Sequence, residues 1–130
     1  ISNHETFNKY THYCKLDDDM IVKKHINVSL LSNYCGRVLT GDGNRKWHLN
    51  KCSEKCLWNT TIYEGNFVPW CGGGFGYYLS RKSLEICSKE KCNANEIYED
   101  LYIAKILHSR NIFPKNICNL GDFIQSPDHK

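Results

Sequence analysis

The sequence has no apolar stretch long enough to span a membrane, and no cleavable signal opens it. It also lacks a run of Lys or Arg, since 17 basic and 14 acidic residues give a net charge of only +3. A groove for nucleic acid needs a concentrated basic surface, so we expect no nucleic-acid partner. Internal repeats, low-complexity segments and long linkers are absent as well. A chain of 130 residues without such breaks predicts one domain, residues 1–130, around a single core.

Cysteine, by contrast, is abundant. The eight cysteines are Cys14, Cys35, Cys52, Cys56, Cys71, Cys87, Cys92 and Cys118. An even number at this density is typical of an oxidising compartment and predicts disulfides, although no pairing can be assigned. Two glycosylation sequons, at Asn27 and Asn59, point to the same lumenal or secreted setting. The alternative is a zinc site formed by Cys52-x₃-Cys56 and Cys87-x₄-Cys92, whose spacings differ from the usual Cys-x₂-Cys pair.

Short strand-like segments alternate with amphipathic ones, which predicts an α/β fold with a mixed sheet flanked by helices. The predicted strands cover residues 13–16, 36–40, 60–63 and 77–80. The predicted helices cover residues 2–12 and 23–34, and two more begin at Ser80 and at Asn95 or Glu96.

Three consecutive aspartates, Asp17-Asp18-Asp19, follow the first predicted strand. If the chain stays extended, alternation places Asp17 and Asp19 on one side and Asp18 on the other. Two hard oxygen ligands on the same side suit Mg²⁺ or Mn²⁺, ions that keep positions open for substrate phosphates. The alternative is an acidic turn whose last aspartate caps a following helix. Ligands of open α/β sheets bind beyond the carboxyl ends of strands, which favours the functional interpretation.

The glycine cluster Gly72-Gly73-Gly74-Phe75-Gly76 lacks the Lys-Ser/Thr pair of a Walker loop and the spacing of a dinucleotide fingerprint. Glycines allow unusual backbone angles and close approach to a ligand. Because Trp70 and Phe75 flank the cluster, the segment suits a sugar, whose flat face packs on an aromatic ring. The alternative is a tight bulged turn between two strands.

Glu99-Asp100 stands near the start of the last predicted helix, where the macrodipole favours negative charge. Such a pair is either a solvated first turn or a general base at the edge of a cleft. His108 and His129 are isolated in the sequence, and a surface or structural role is the ordinary expectation for each.

Four segments, taken in order, resemble the β1,3-glycosyltransferases, inverting enzymes with a GT-A fold that include galactosyl-, N-acetylglucosaminyl- and Fringe-like members. Lys15-Leu-Asp-Asp-Asp-Met-Ile-Val22 resembles that family's lysine, DxD triplet and following hydrophobic residues. Lys46-Trp47-His48-Leu49-Asn50 is similar to its Lys-Trp-aromatic-Val-Ser segment. Residues 63–80 resemble its Tyr-Pro…Tyr-Cys-x-Gly-x-Gly-Tyr…Ser block, and Ile97-Tyr-Glu-Asp-Leu-Tyr-Ile103 resembles its Glu-Asp-Val-Tyr-Val motif. The resemblance covers about residues 7–107 and corresponds to the C-terminal half of the family.

The resemblance implies a hexosyltransferase that moves a sugar from a UDP-sugar donor to a hydroxyl group of a glycan or glycoprotein, forming a β1,3 linkage. Asp100 would be the catalytic base that takes the proton of the acceptor hydroxyl. The ligands of Mn²⁺ (or Mg²⁺) would be Asp19, Asp17 and His129. The donor-binding residues would be Asp17, Asp18 and Lys46, and the substrate-binding residues would be Trp47, Trp70, Gly72, Gly73, Gly74 and Glu99.

The family's N-terminal part, which carries the uridine-gripping strands and the membrane anchor, has no counterpart in these residues. The resemblance therefore implies a partial GT-A fold in the Golgi lumen or in a secreted protein, with membrane attachment only through an anchor outside this chain. One alternative is a catalytically inactive glycosyltransferase-like partner or glycan-binding fragment. Another is a small disulfide-stapled secreted module without sugar chemistry.

Overall fold

Short strands and two α helices are the regular elements of the structure, a computed structural model that describes residues 9–91 and 93–125. In chain order the strands are β1 (His12–Lys15), β2 (Ile21–Val22), β3 (Tyr34–Gly36), β4 (Val38–Leu39), β5 (Trp70–Cys71), β6 (Tyr77–Ser80), β7 (Lys115–Asn116) and β8 (Ile124–Gln125). The helices are α1 (Arg81–Ser88) and α2 (Glu99–His108).

A four-stranded sheet in the order β1-β6-β3-β7 lies at the centre. Strand β6 is antiparallel to both of its neighbours, with Tyr78 opposite Cys14 on one side and Cys35 on the other, whereas β7 runs parallel to β3. All four residues of β6 are buried, as expected for a strand covered on both faces. Two antiparallel ribbons, β2-β8 and β4-β5, complete the strand pairs of the described residues. The predicted α/β class with a mixed sheet is confirmed.

Helix α1 begins where the sequence predicts. The side chain of Ser80 accepts a hydrogen bond from the backbone N–H of Ser83 at 3.2 Å, which satisfies one of the donors left free at a helix start. The Ser83 hydroxyl in turn donates to the carbonyl of Asn33 at 2.7 Å, so the first turn of α1 is tied to the segment that leads into β3.

Helix α2 begins later than predicted, at Glu99 rather than at Asn95 or Glu96. A turn in which the N–H of Glu96 donates to the carbonyl of Asn93 precedes it, and Tyr98 still has an extended backbone. Its inward face carries Leu101, Ala104 and Leu107, which join the main core cluster. This packing fixes the position of its acidic first turn. No helix of the described residues is long and apolar enough to cross a membrane.

The helix predicted for residues 23–34 is wrong. Only a single 3₁₀ turn forms, at Val28–Leu30, and Leu30 is 65% exposed. Tyr34 belongs instead to β3 at the centre of the sheet, where it is fully buried. Ile26 and Leu31 pack on the second core cluster, which is formed by Cys35, Tyr78, Leu120, Phe123 and Ile124. The buried and partly buried apolar residues of this segment thus belong to two different clusters and do not form one face of a helix.

The remaining strand and helix predictions differ in outcome. The strand predicted at residues 13–16 is confirmed as β1, and the one at 77–80 is confirmed as β6. The strand predicted at 36–40 is broken at Arg37 into β3 and β4, and residues 60–63 form no strand, although Tyr63 is buried. Of the helix predicted for residues 2–12, residues 1–8 lie outside the described residues, and His12 already belongs to β1.

The contact between β3 and β6 predicts a large effect of Gly36→Ala. An added Cβ would stand 2.9 Å from the Cβ of Tyr77 and 3.1 Å from the carbonyl oxygen of Gly76, atoms that cannot move without parting the strands. We expect the free energy of unfolding, measured by urea denaturation, to fall by about 1–3 kcal/mol. Gly121→Ala is the control, because its Cβ meets nothing within 4 Å. Equal stability of the two variants would contradict this close approach.

Candidate functional site

A cavity of about 500 Å³ opens between the end of β1, two loops and the start of α2. It is lined by Lys15, Asp17, Leu39, Gly43, Asn44, Trp47, Phe67, Trp70, Gly72, Gly73, Gly74, Phe75, Ile97, Tyr98, Glu99, Asp100 and Leu101. Residues from all four of the segments singled out in the sequence therefore meet at one surface.

Asp100 lies in the first turn of α2 and is held by backbone groups. Its Oδ2 accepts a hydrogen bond from the N–H of Gly73 at 2.9 Å, and its Oδ1 accepts one from the N–H of Leu101 at 2.8 Å. Each carboxylate oxygen keeps a further lone pair. The side chain is thus fixed in orientation at the cavity wall and can still accept a proton or a hydrogen bond from a ligand.

Glu99 precedes it and is more exposed. The hydroxyl of Tyr77 donates to Glu99 Oε1 at 3.4 Å, so the Glu99 side chain is tied to the start of β6. Burial raises the pKa of Tyr77 far above its ordinary value, and the negative charges of Glu99 and Asp100 raise it further. Tyr77 therefore stays a hydroxyl donor at neutral pH.

Lys15 is the cation of the cavity lining. Its Nζ donates to Asp17 Oδ1 at 2.7 Å. Burial alone would lower the pKa of Lys15, but the hydrogen bond to Asp17 and the charges of Glu99, Asp17 and Asp100 together raise it above its ordinary value of 10.5. The ammonium group thus balances carboxylates from two distant parts of the chain.

The aspartate triplet forms a turn and does not continue β1. The N–H of Met20 donates to the carbonyl of Asp17 at 3.1 Å, and all three aspartates are exposed. The predicted strand-like alternation of Asp17 and Asp19 is therefore wrong, and no helix follows for the last aspartate to cap. Asp17 lines the cavity, whereas Asp18 and Asp19 are not among its lining residues.

The donor chemistry of the triplet fits a hard divalent ion. The carboxylates of Asp18 and Asp19 make no hydrogen bond or ion pair within the described residues, and one oxygen of Asp17 is engaged by Lys15. No group of three or more His, Cys, Asp or Glu side chains lies close enough to hold a metal in the part of the chain that the structure describes. An ion bound here would therefore take further oxygen ligands from a substrate phosphate and from water, as Mg²⁺ ordinarily does.

Aromatic rings form the opposite wall. Trp70 is buried in β5, and its ring centroid lies 5.4 Å from that of Phe67. Trp47 is 59% exposed and meets Tyr98 edge-on at 6.4 Å, with the ammonium of Lys51 3.6 Å from the Trp47 ring centroid. These rings give the cavity the flat apolar surfaces on which sugar rings pack.

Buried His48 fixes the position of Tyr98. Its Nδ1 lies 2.6 Å from the hydroxyl oxygen of Tyr98, and its Nε2 donates to the carbonyl of Thr61 at 2.5 Å. The Tyr98 hydroxyl oxygen also lies 3.1 Å from the carbonyl oxygen of Asn44. The loop carrying Asn44 and Trp47 is therefore joined to the segment that enters α2.

The glycine cluster is a tight 3₁₀ turn between β5 and β6, at Gly73–Phe75. Gly76 has φ of 80°, a conformation that favours glycine. An added Cβ at Gly73 would stand 3.3 Å from the Cβ of Asp100, so the absence of a side chain lets the turn approach α2.

The other predicted site residues either do not line the cavity or lie outside the described residues. Lys46 is exposed and is not among the lining residues. His129 lies outside the described residues, and His108 is exposed with its ring against Phe113. Asn27 is exposed and caps the 3₁₀ turn through its side chain, whereas Asn59 is partly buried in a loop beside Cys52.

The seven cysteines of the described residues are free thiols in the structure, and Cys92 lies outside those residues. Disulfide formation stays a prediction. Sequence reasoning gave no site role to Lys15, Tyr77, Phe67, Asn44 or Tyr98. For Lys15 a signal was present, since residues 15 and 17 share one side of an extended chain.

No protein-family model matches this sequence, and a search of the curated proteins finds no matching relative. A function for the chain therefore rests on the sequence resemblance described above and on the residues that line the cavity.

The ion pair between Lys15 and Asp17 predicts that the charge of Asp17 affects the pKa of Lys15. In Asp17→Asn, the pKa of Lys15, followed by NMR titration of its side chain, should fall because its nearest anion is removed. Asp122→Asn is the control, since Asp122 is exposed and does not line the cavity. An unchanged Lys15 pKa in Asp17→Asn would contradict the ion pair.

The raised pKa of Lys15 also predicts how the stability of the fold depends on pH. Folded Lys15 holds its proton more tightly than the unfolded chain does, so its contribution is complete below pH 10.5 and is lost as the pH rises through the folded pKa. The difference in unfolding free energy between the wild type and Lys15→Gln should therefore shrink as the pH rises above 10.5.

Proposed function

We propose that this chain is a metal-dependent, inverting hexosyltransferase with a GT-A-type catalytic fold. It moves a sugar from a UDP-sugar to a hydroxyl of a glycan or glycoprotein in the Golgi lumen and forms a β1,3 linkage. The observation that supports this most strongly is the shared cavity. Asp17, Trp47, Gly73 and Asp100 belong to four separate sequence segments, and all of them line it.

In this proposal Asp100 is the general base. The N–H groups of Gly73 and Leu101 hold its carboxylate in one orientation, so little reorganisation precedes proton transfer. The acceptor hydroxyl gives its proton to Asp100 as its oxygen attacks the anomeric carbon of the donor sugar. Attack from the face opposite the leaving group inverts the configuration.

Asp17 and Asp19 would hold the divalent ion, with Asp18 beside them toward the donor. When bound, Mn²⁺ or Mg²⁺ supplies charge neutralisation for a diphosphate leaving group. Lys15 keeps Asp17 in place through its 2.7 Å hydrogen bond and carries a further positive charge into the cavity. Trp47 and Trp70 would present ring faces to the sugars.

A second candidate is glycan binding without transfer. The exposed ring of Trp47 and the aromatic wall suit a neutral sugar without any nucleotide. Both oxygens of Asp100 already accept backbone hydrogen bonds, which is also the pattern of a structural carboxylate. Transfer assays and glycan-binding assays on the same protein separate the two functions.

Donor binding should require both the metal and Asp19. We expect the protein to bind UDP in isothermal titration calorimetry with Mn²⁺ present and not in EDTA. Asp19→Ala should lose this binding by about tenfold or more, because a metal ligand is removed. Asp122→Ala, another exposed aspartate, should bind as the wild type does. Metal-independent binding, or equal binding by both variants, would rule out the proposed role of the triplet.

Sugar transfer should depend on the charge of Asp100. Asparagine keeps an acceptor for the N–H of Gly73 but cannot take a proton, so Asp100→Asn should slow transfer by about a hundredfold or more. Transfer is measured by mass spectrometry of acceptor glycans supplied with a panel of UDP-sugars, while UDP binding should remain.

Glu85→Gln, on the exposed side of α1, is the matched control. Transfer by Asp100→Asn at the wild-type rate would remove Asp100 from the reaction. Glycan binding by the wild type without transfer from any donor would favour the second candidate.

A further inference from the structure

Two cysteines lie together in an exposed loop away from the cavity. The N–H of Cys56 donates to the carbonyl of Ser53 at 2.9 Å, which closes a turn directly after Cys52. Hydrogen bonding between the two side chains raises the pKa of Cys52 and lowers the pKa of Cys56. Neither residue lines the cavity.

The side chain of Asn59 holds this loop closed. Its Oδ1 accepts a hydrogen bond from the N–H of Cys52 at 3.1 Å and lies 3.1 Å from the Cys52 Sγ, and its Nδ2 donates to the carbonyl of Ser53. The N–H of Asn59 donates to the carbonyl of Cys56 at 3.1 Å. One residue thus bonds to both cysteines and to the turn between them, and it fixes their spacing.

We propose that Cys52 and Cys56 form a redox-active dithiol that reacts with external disulfides, either small molecules or proteins, and closes into an intramolecular disulfide. Cys56 is the attacking thiol and Cys52 is the resolving thiol. This site is independent of the sugar chemistry proposed above.

The exchange balances without any further reagent. The Cys56 thiolate attacks one sulfur of the external disulfide, a mixed disulfide forms, and one thiolate leaves. Cys52 then loses its proton to solvent and attacks the sulfur of Cys56, which displaces the second thiolate. Two protein thiols are oxidised to one disulfide, and the external disulfide is reduced to two thiols.

Three of the other cysteines should react more slowly than this pair. The hydrogen bond from Cys52, followed by the backbone N–H groups of Trp58 and Asn59, lowers the pKa of Cys56. Burial raises the pKa of Cys14 to about 11, of Cys71 to about 12 and of Cys87 to about 11. Since the thiolate is the nucleophile, those three thiols are poor competitors.

The test uses fully reduced protein and glutathione disulfide as the probe at about pH 8, followed by acid quenching, alkylation and peptide mapping. We expect a Cys52–Cys56 disulfide to form at least about tenfold faster than Cys14, Cys71 or Cys87 reacts, because the greater nucleophilicity of a thiolate with a high pKa offsets part of its scarcity. A thiol with a pKa near 11 is ionised at that pH about a hundredth as often as an ordinary one.

Two variants test whether Cys56 is the attacking thiol and Cys52 the resolving thiol. Cys52→Ser should accumulate a stable mixed disulfide with glutathione on Cys56, because the resolving thiol is gone. Cys118→Ser, which removes another exposed cysteine, should oxidise as the wild type does. Both substitutions replace exposed side chains, and circular dichroism checks that both variants are folded.

Three results would overturn the proposal. The first is a persistent mixed disulfide on Cys56 in the wild type, and the second is oxidation of either cysteine with a different partner. The third is uptake of one Zn²⁺ that protects both thiols from alkylation, since this would make the pair a metal site.

Discussion

The hydrogen bond from the N–H of Gly73 to Asp100 is the contact on which the candidate site depends. It joins the turn between β5 and β6 to the first turn of α2, at 2.9 Å, and both elements are otherwise set by the core. Position 73 accepts no side chain without pressing on Asp100. Because Leu101 and Leu107 are almost fully buried, α2 cannot move to relieve such pressure without exposing its apolar face. The carboxylate is thereby part of the packing as well as of the cavity wall, and its orientation follows from the fold.

Electrostatic interactions also connect the end of β1 to the start of α2 across the cavity. Lys15 stands at the end of β1, and its ammonium interacts with Asp17 two residues later and with Glu99 and Asp100 more than eighty residues later. A strand end and a helix start are thus coupled electrostatically as well as through the sheet. The hydroxyl of Tyr77, at the start of β6, donates a hydrogen bond to Glu99, and the N–H of Gly73 donates one to Asp100. Neutralising Glu99 or Asp100 would therefore lower the pKa of both Lys15 and Tyr77.

How far the sequence predicted this arrangement depends on the range of the interactions. Ser80 was recognised as a helix start because its capping bond reaches only three residues along the chain. The helix predicted over residues 23–34 failed because the burial of Tyr34 in the sheet and of Leu31 in the second cluster involves residues far along the chain. The acidic lining residues and the two tryptophans were predicted from their motifs, but Phe67 was not, and neither was Tyr98. Its position depends on buried His48, fifty residues away, and nothing in the local pattern shows that bond.

The composition of the cavity wall limits what can bind there. Its charged lining residues are three carboxylates and one ammonium, and Asp18 and Asp19 stand exposed beside them. The guanidinium of Arg37 packs over the Phe75 ring and Lys51 over the Trp47 ring, so these cations sit at the edge of the wall. A diphosphate entering alone would meet net negative charge in a partly desolvated site, where such repulsion is weakly screened. A neutral sugar would meet no such barrier and would gain the aromatic faces. The proposed transfer reaction therefore needs a divalent cation at the triplet, whereas glycan binding does not, and the dependence on metal is what distinguishes the two functions physically.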